Sequence, residues 1–134
     1  MKVFIVARGQ HGQAEEVQAA ETAAQAVEAS GQEPLIAYRE ITQRGMVARE
    51  YMPFVRQEIR QAGLLVVIFN PELRGGLIEV GIAYADGVPV WLLHKPGEQM
   101  PNSLQACADK FIVYSNLDEL KTKLDGAMIN LRVD

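Results

Sequence analysis

A single cysteine, Cys107, occurs in the chain, so no disulfide can form within it. Followed by Ala108 and Asp109, it reads as an inert, part-buried thiol. Histidine is nearly as scarce: His11 and His94 lie at no metal-ligand spacing from Cys107 or from each other, which leaves no metal site to expect. No apolar run approaches membrane-spanning length, and the run in "MKVFIVARG" is too short for a secretory leader, so the expected setting is the cytoplasm, away from a membrane. Positive charge is also in short supply, with 13 Lys and Arg against 17 Asp and Glu and a net charge of -4. These basic residues are scattered rather than gathered in a stripe, which excludes gripping a nucleic-acid polymer by its phosphates. A small anionic ligand needs only a local positive site and is not excluded. Repeats and low-complexity tracts are absent.

What is present is an ordinary globular composition, 49% hydrophobic and 22% charged, over 134 residues. That length suits one domain, residues 1–134, around one core. Strand-like and helix-like segments alternate along it. Lys2 to Ala7 is apolar and β-rich, the loop "RGQHGQ" follows, and Ala14 to Ala29 is an Ala/Glu/Gln helix stopped at Gly31. Leu35 to Tyr38 reads as a second strand, and Met46 to Ala62 has helical spacing, with Pro53 expected to kink it or mark a fresh start. "LLVVIF", Leu64 to Phe69, is continuous and β-branched, the pattern of a central strand covered on both faces. A helix over Leu77 to Asp86 stopped by Gly87, a strand over Val88 to Leu93, a short helix over Ser103 to Cys107, a strand over Phe111 to Tyr114 and a helix over Leu117 to Leu124 complete the reading.

Such alternation predicts a three-layer α/β fold, a flavodoxin-like doubly wound five-stranded parallel sheet in the order 2-1-3-4-5. In that order the sheet reverses direction between strands 1 and 3, and ligands bind beyond the carboxyl ends of the strands at that point. The loops meeting there are Arg8 to Gln13 and Asn70 to Gly76. The apolar run Leu77 to Ala85 holds one carboxylate, Glu79, in its middle. An ionised carboxylate buried alone is costly, so Glu79 is expected to be paired, exposed at one edge, or employed. Its predicted place is the first turn of the helix leaving strand 3, where Gly75 and Gly76 allow close backbone approach and free N–H groups point outward. A Glu in a first turn also favours the helix dipole while facing water, which is the plain alternative.

The segment "AGLLVVIFNP" followed by "RGGLIEVGIAYADGVPVWLL" resembles the central part of the nucleoside 2-deoxyribosyltransferase family, which includes the 2′-deoxynucleoside 5′-monophosphate N-hydrolases. The resemblance covers about Gln61 to Leu93 and joins a hydrophobic strand, a glycine pair, a Glu at fixed spacing, Gly81, Ala83 and a second strand. It implies a flavodoxin-like fold, no cofactor, oligomers whose neighbouring subunits complete the site, and a nucleoside or nucleoside 5′-monophosphate as ligand. It also implies that Glu79 attacks the anomeric carbon of the sugar. A carboxylate suits that chemistry, because it can capture an oxocarbenium-like centre as a covalent glycosyl intermediate, with retention on release.

Several positions depart from the family pattern. Where members carry an Asp in the helix before strand 3, this chain has Val55, which can neither donate nor accept a proton. Glu58, one turn on, is the nearest substitute, and Glu50 a longer reach. Gly75 and Gly76 are adjacent rather than alternating, the first loop is "VARGQHGQ", and Leu73 stands where the hydrolase branch has a phosphate-recognising serine. Arg74 or Arg8 would then take that task through a bidentate guanidinium. The remaining candidates at the crevice are Ala7, His11 as an acid or base, and Asn70, whose side chain could equally bond its own backbone turn. Tyr84 and Trp91 could stack on a base, although Trp91 alternates with apolar residues and suits a core or a subunit interface. "REYMPFVRQEIRQ" suits either self-association or packing on its own sheet. The expected function is a retaining nucleoside or nucleotide N-glycosidase or deoxyribosyltransferase with Glu79 as nucleophile. A non-catalytic nucleoside-binding module of the same fold, and a signalling or scaffold domain with no small ligand, stay open.

Overall fold

A computed structural model describes residues 1–9 and 14–133. His11 and the rest of the 10–13 stretch lie outside the described residues. The elements run β1 (Lys2–Val6), α1 (Ala14–Ala29), β2 (Glu33–Ile36), α2 (Ala37–Arg44), α3 (Ala48–Gln61), β3 (Leu64–Ile68), α4 (Gly75–Ala85), β4 (Val90–His94), α5 (Asn102–Cys107), β5 (Lys110–Val113) and α6 (Leu117–Val133). The five strands form one sheet in the order β2-β1-β3-β4-β5. Every pairing is parallel, with Val3 opposite Leu64, Leu65 opposite Val90 and Leu92 opposite Phe111. This is the flavodoxin-like order expected from the sequence.

The two-residue period of the strands divides the core into two layers. Val3 and Ile5 of β1, Leu64, Val66 and Ile68 of β3, and Trp91 and Leu93 of β4 face α1 and α6. The alanines of α1, among them Ala19, Ala20, Ala23 and Ala26, bring that helix close to the sheet and to Leu120, Leu124 and Met128 of α6. Phe4, Val6, Leu65, Val67, Val90 and Leu92 face the other way, onto Val55 and Ile59 of α3, Val80 and Ala83 of α4, and Leu104 of α5. β3 is buried along its whole length, as a central strand covered by helices on both faces must be. Trp91 belongs to the core, only 7% exposed, with Lys110 over its ring.

Several boundaries differ from the sequence reading. Ala37 and Tyr38 are not strand: β2 stops at Ile36, and the chain turns at once into α2, which Gly45 terminates in the left-handed conformation. The Glu40–Arg44 ion pair at four-residue spacing supports this short helix. Pro53 lies within α3, which continues through it from Ala48 to Gln61. α4 begins at Gly75 rather than Leu77, so Glu79 stands in its second turn and not its first. The first-turn dipole explanation for Glu79 therefore does not apply, since that effect fades within a turn.

Candidate active site

The carboxyl ends of β2, β1 and β3 each deliver a segment to one cavity of about 390 Å³. From β1 come Ala7, Arg8 and Gly9; from β2, through α2, come Ala37, Tyr38 and Ile41; from β3 come Glu72 to Gly76 and, on α4, Glu79. Tyr51 of α3 closes the side. The cavity sits at the switch point where the sheet order reverses, and its size is within the range of small-molecule sites.

Glu79 is partly exposed at the cavity wall, yet burial of its carboxyl raises its pKa to about 8, with burial as the cause. Among the described residues no side chain or backbone amide bonds this carboxyl, so the group is neither paired nor locally capped. Gly76 explains how α4 reaches this place: a Cβ there would lie 2.6 Å from Val6 Cγ1 and 2.7 Å from Leu73 Cδ1, so only glycine lets the first turn rest on β1. Around Gly75 a Cβ would meet nothing within 4 Å, so that backbone faces open space. No side chain caps the α4 N-terminus at Arg74, which leaves its first N–H groups available beside the cavity.

The two arginines differ in how they are held. Arg8 spans the crevice, with one terminal nitrogen 3.0 Å from Glu72 Oε2 and the other 3.8 Å from Glu16 Oε1. Arg74 donates to the carbonyls of Pro71 and Leu73 at 3.2 and 3.1 Å, with donors of its five-fold fork to spare. Asn70 faces away from Glu79, into a second hollow lined by Glu15, Glu16, Lys95, Glu98 and Tyr114. There its amide donates to Glu16, while its carbonyl oxygen accepts from the Glu72 backbone N–H at 2.8 Å, the local turn contact anticipated for it.

Of the residues singled out in the sequence, Ala7, Arg8, Arg74, Gly75, Gly76 and Glu79 come together at the cavity. Glu58 does not: it is held in an ion pair with Lys2 at 2.6 Å and is absent from the cavity wall. Glu50 accepts from the Val47 backbone N–H at the start of α3. Val55 is fully buried in the apolar layer beneath α3. Sequence reasoning missed Tyr38, Ile41, Tyr51 and Glu72. The first two were hidden by reading Ala37 and Tyr38 as strand; the signals of a helix there were Gly45 as a stop and the Glu40–Arg44 pair.

The fold defines a flavodoxin-like α/β protein with a cavity at the switch point. No protein-family model matches the chain, and no curated protein sequence does. Solved structures do match in shape. The CMP N-glycosidase BcmB of Clostridium botulinum aligns with a TM-score of 0.74 over 95% of this chain and 99% of that one, at 21% identity. A 2-deoxyribosyltransferase of Bacillus psychrosaccharolyticus aligns with a TM-score of 0.70 over 92% and 96%, at 18% identity. A flavodoxin from the domain Archaea aligns less closely, with a TM-score of 0.55 at 12% identity. At identities this low, the superpositions show a shared fold over nearly the whole chain and nothing finer.

Proposed function

We propose that residues 1–134 form a single nucleoside 2-deoxyribosyltransferase-like domain that breaks the N-glycosidic bond of a nucleoside or nucleoside 5′-monophosphate, with Glu79 as nucleophile. The observation that carries this reading is the seat of Glu79, an unpaired carboxyl in the wall of a switch-point cavity. The fold shared with a CMP N-glycosidase and a deoxyribosyltransferase supports it.

In this scheme the ionised Glu79 attacks the anomeric carbon while the C–N bond breaks, its electron pair leaving with the base. Water or an acceptor base then attacks the same carbon, the carbon–carboxylate bond breaks, Glu79 is regenerated, and the proton lost by the attacking group ends on the base that left. Two displacements at one centre give retention. Because burial keeps Glu79 protonated up to about pH 8, ionisation must precede attack. Arg8, Arg74 and the uncapped α4 N-terminus supply the positive side of the cavity for a ligand phosphate. The scheme calls for no cofactor, and the lone cysteine suits a cytoplasmic setting.

The site is proposed to be completed by a second copy of the chain. α4 carries no charged residue except Glu79, and its outer face exposes Ile78 and Tyr84 at 59% and 62%. The aromatic residues of α3, by contrast, are engaged within the chain, Phe54 lying under Arg44 at 4.7 Å and Tyr51 lining the cavity.

A non-catalytic binding module is the second reading, and Val55 favours it. At the place where the resemblance calls for an Asp, a fully buried valine offers the leaving base no proton. Chromatography of base release from a panel of nucleosides and 5′-monophosphates, with and without an acceptor base, decides between the two. Release that Glu79→Ala abolishes supports the enzyme, and acceptor dependence separates transfer from hydrolysis. Binding without release supports the module.

A further inference from the structure

Arg8, Glu16, Asn70 and Glu72 close a ring of polar contacts over the switch point. Arg8, just past β1, sets one terminal nitrogen 3.0 Å from Glu72 Oε2 and the other 3.8 Å from Glu16 Oε1. Asn70, just past β3, donates its amide to that same Glu16 oxygen at 2.5 Å and accepts the Glu72 backbone N–H at 2.8 Å. The two carboxylates on Arg8 are held very differently. Glu16, on α1, is only 12% exposed and bonded by Asn70, so it is fixed in place. The Glu72 side chain is 67% exposed, and among the described residues Arg8 is its one ion-pair partner.

Arg8 and Glu72 both line the cavity that holds Glu79, whereas Glu16 lines the neighbouring hollow. A guanidinium between two carboxylates carries no surplus positive charge, so an anionic ligand group gains little from Arg8 while Glu72 remains on it. An exposed ion pair is worth little, and a carboxylate that swings away from it is taken up by water. We propose that Glu72 sets how the crevice chooses between a nucleoside and its 5′-monophosphate: its carboxylate occupies Arg8 in the empty site, and a ligand phosphate takes Arg8 only by displacing it. Arg8 then exchanges one oxyanion for another through its fork, while Glu16 keeps the side chain at the cavity. A neutral nucleoside needs no such exchange and is indifferent to Glu72. Arg74, bonded to backbone carbonyls, meets no such competitor among the described residues, so the competition is confined to Arg8. This rests on the reading of the cavity as a nucleoside or nucleotide site and adds the element that ranks its ligands by charge.

The test uses a Glu79→Gln background, which prevents turnover, and titration calorimetry at fixed ionic strength with nucleosides of the common bases and with their 5′-monophosphates. Glu72→Gln should tighten the best-bound monophosphate about fivefold, the upper end for one exposed ion pair, and leave its nucleoside within about twofold. Arg8→Gln should weaken that monophosphate, and adding Glu72→Gln to Arg8→Gln should recover less than about twofold, because the competition requires Arg8. Monophosphate binding that Glu72→Gln leaves unchanged, absent or weaker overturns the role of Glu72 while leaving the ligand site standing. So does a gain shared equally by the nucleoside, or one of the same size without Arg8. A Glu79→Gln protein, folded by circular dichroism, that binds no nucleoside or nucleotide overturns the reading of the site and the role of Glu72 together.

Discussion

Gly76 on α4 rests directly on Val6 of β1, so closely that a Cβ at Gly76 would lie 2.6 Å from Val6 Cγ1. This contact sets how far the helix bearing Glu79 approaches the switch point. Its neighbour Gly75 makes no comparable contact. Gly76→Ala should therefore cost about 1–3 kcal/mol through overpacking. Gly75→Ala should leave stability equal or slightly higher, by about 0.5–1 kcal/mol from helix propensity. Denaturant titration of both variants checks the contrast, and ligand affinity should fall for Gly75→Ala, whose methyl would occupy open space at the cavity wall.

Glu79 also ties stability to pH. Its pKa is raised from an ordinary 4.5 to about 8 in the folded chain, so between those values the unfolded chain has released a proton that the folded chain keeps. The folded state thus binds more protons, and stability falls as pH rises through that window. The effect is on the order of a few kcal/mol, reduced by the partial exposure of the residue. Glu79→Gln should match the native protein near pH 4.5 and exceed it in melting temperature at pH 8.5 and above. Parallel melting curves across the pH range would sink the assignment of a buried, unpaired carboxyl.

Much of this arrangement was legible in the sequence. The unbroken apolar run at Leu64 to Ile68 has the pattern of a doubly covered strand, and alternation with helices points to the parallel order with a switch point after β1 and β3. From there Ala7, Arg8, Gly75, Gly76 and Glu79 follow by address. What escaped was tertiary in origin. Leu35 to Tyr38 has no local property that separates the last strand residue from the first helical one, so the sequence pattern extends the strand through Tyr38 and hides its place at the cavity. Glu58 has the spacing of a candidate acid, but nothing local announces that Lys2, 56 residues earlier, holds it. The apolar spacing after Leu124 was too weak to reveal that α6 runs on to Val133.

Val55 offers a sharp check on how far this chain departs from the family it resembles. It is fully buried in the apolar layer that also holds Ile59, Val80 and Leu65. Val55→Asp should not restore a proton donor. It should place an unpaired carboxyl in the apolar layer and destabilise the chain by about 3 kcal/mol or more. A variant that folds with native stability and releases base faster would instead show that α3 can turn this position toward the cavity.

The exposed face of α4 makes a prediction about assembly. Ile78 is adjacent in sequence to Glu79, and Tyr84, six residues on and about 120° around the helix, is exposed as well. If a second copy covers them, Ile78→Lys and Tyr84→Lys should each yield monomers in sedimentation velocity, from a native protein that sediments as a dimer or larger. Folding should be unaffected, because both side chains are solvent-exposed within one chain. Activity lost together with assembly would place part of the site on the neighbouring copy. A native protein that is monomeric at every concentration removes the proposal.

The protonation of Glu79 finally governs the rate at which it could act. A nucleophilic carboxylate must be ionised, and the fraction ionised grows tenfold per pH unit below the pKa. With that pKa at about 8 in the free protein, kcat/KM for base release should climb with unit slope from pH 5.5 to 7.5 and level off above about 8. A carboxyl acting as a proton donor would give the opposite limb, with kcat/KM falling as pH passes 8. The direction of that limb, measured by initial rates on one nucleotide, therefore separates a Glu79 that attacks the sugar from one that protonates the base.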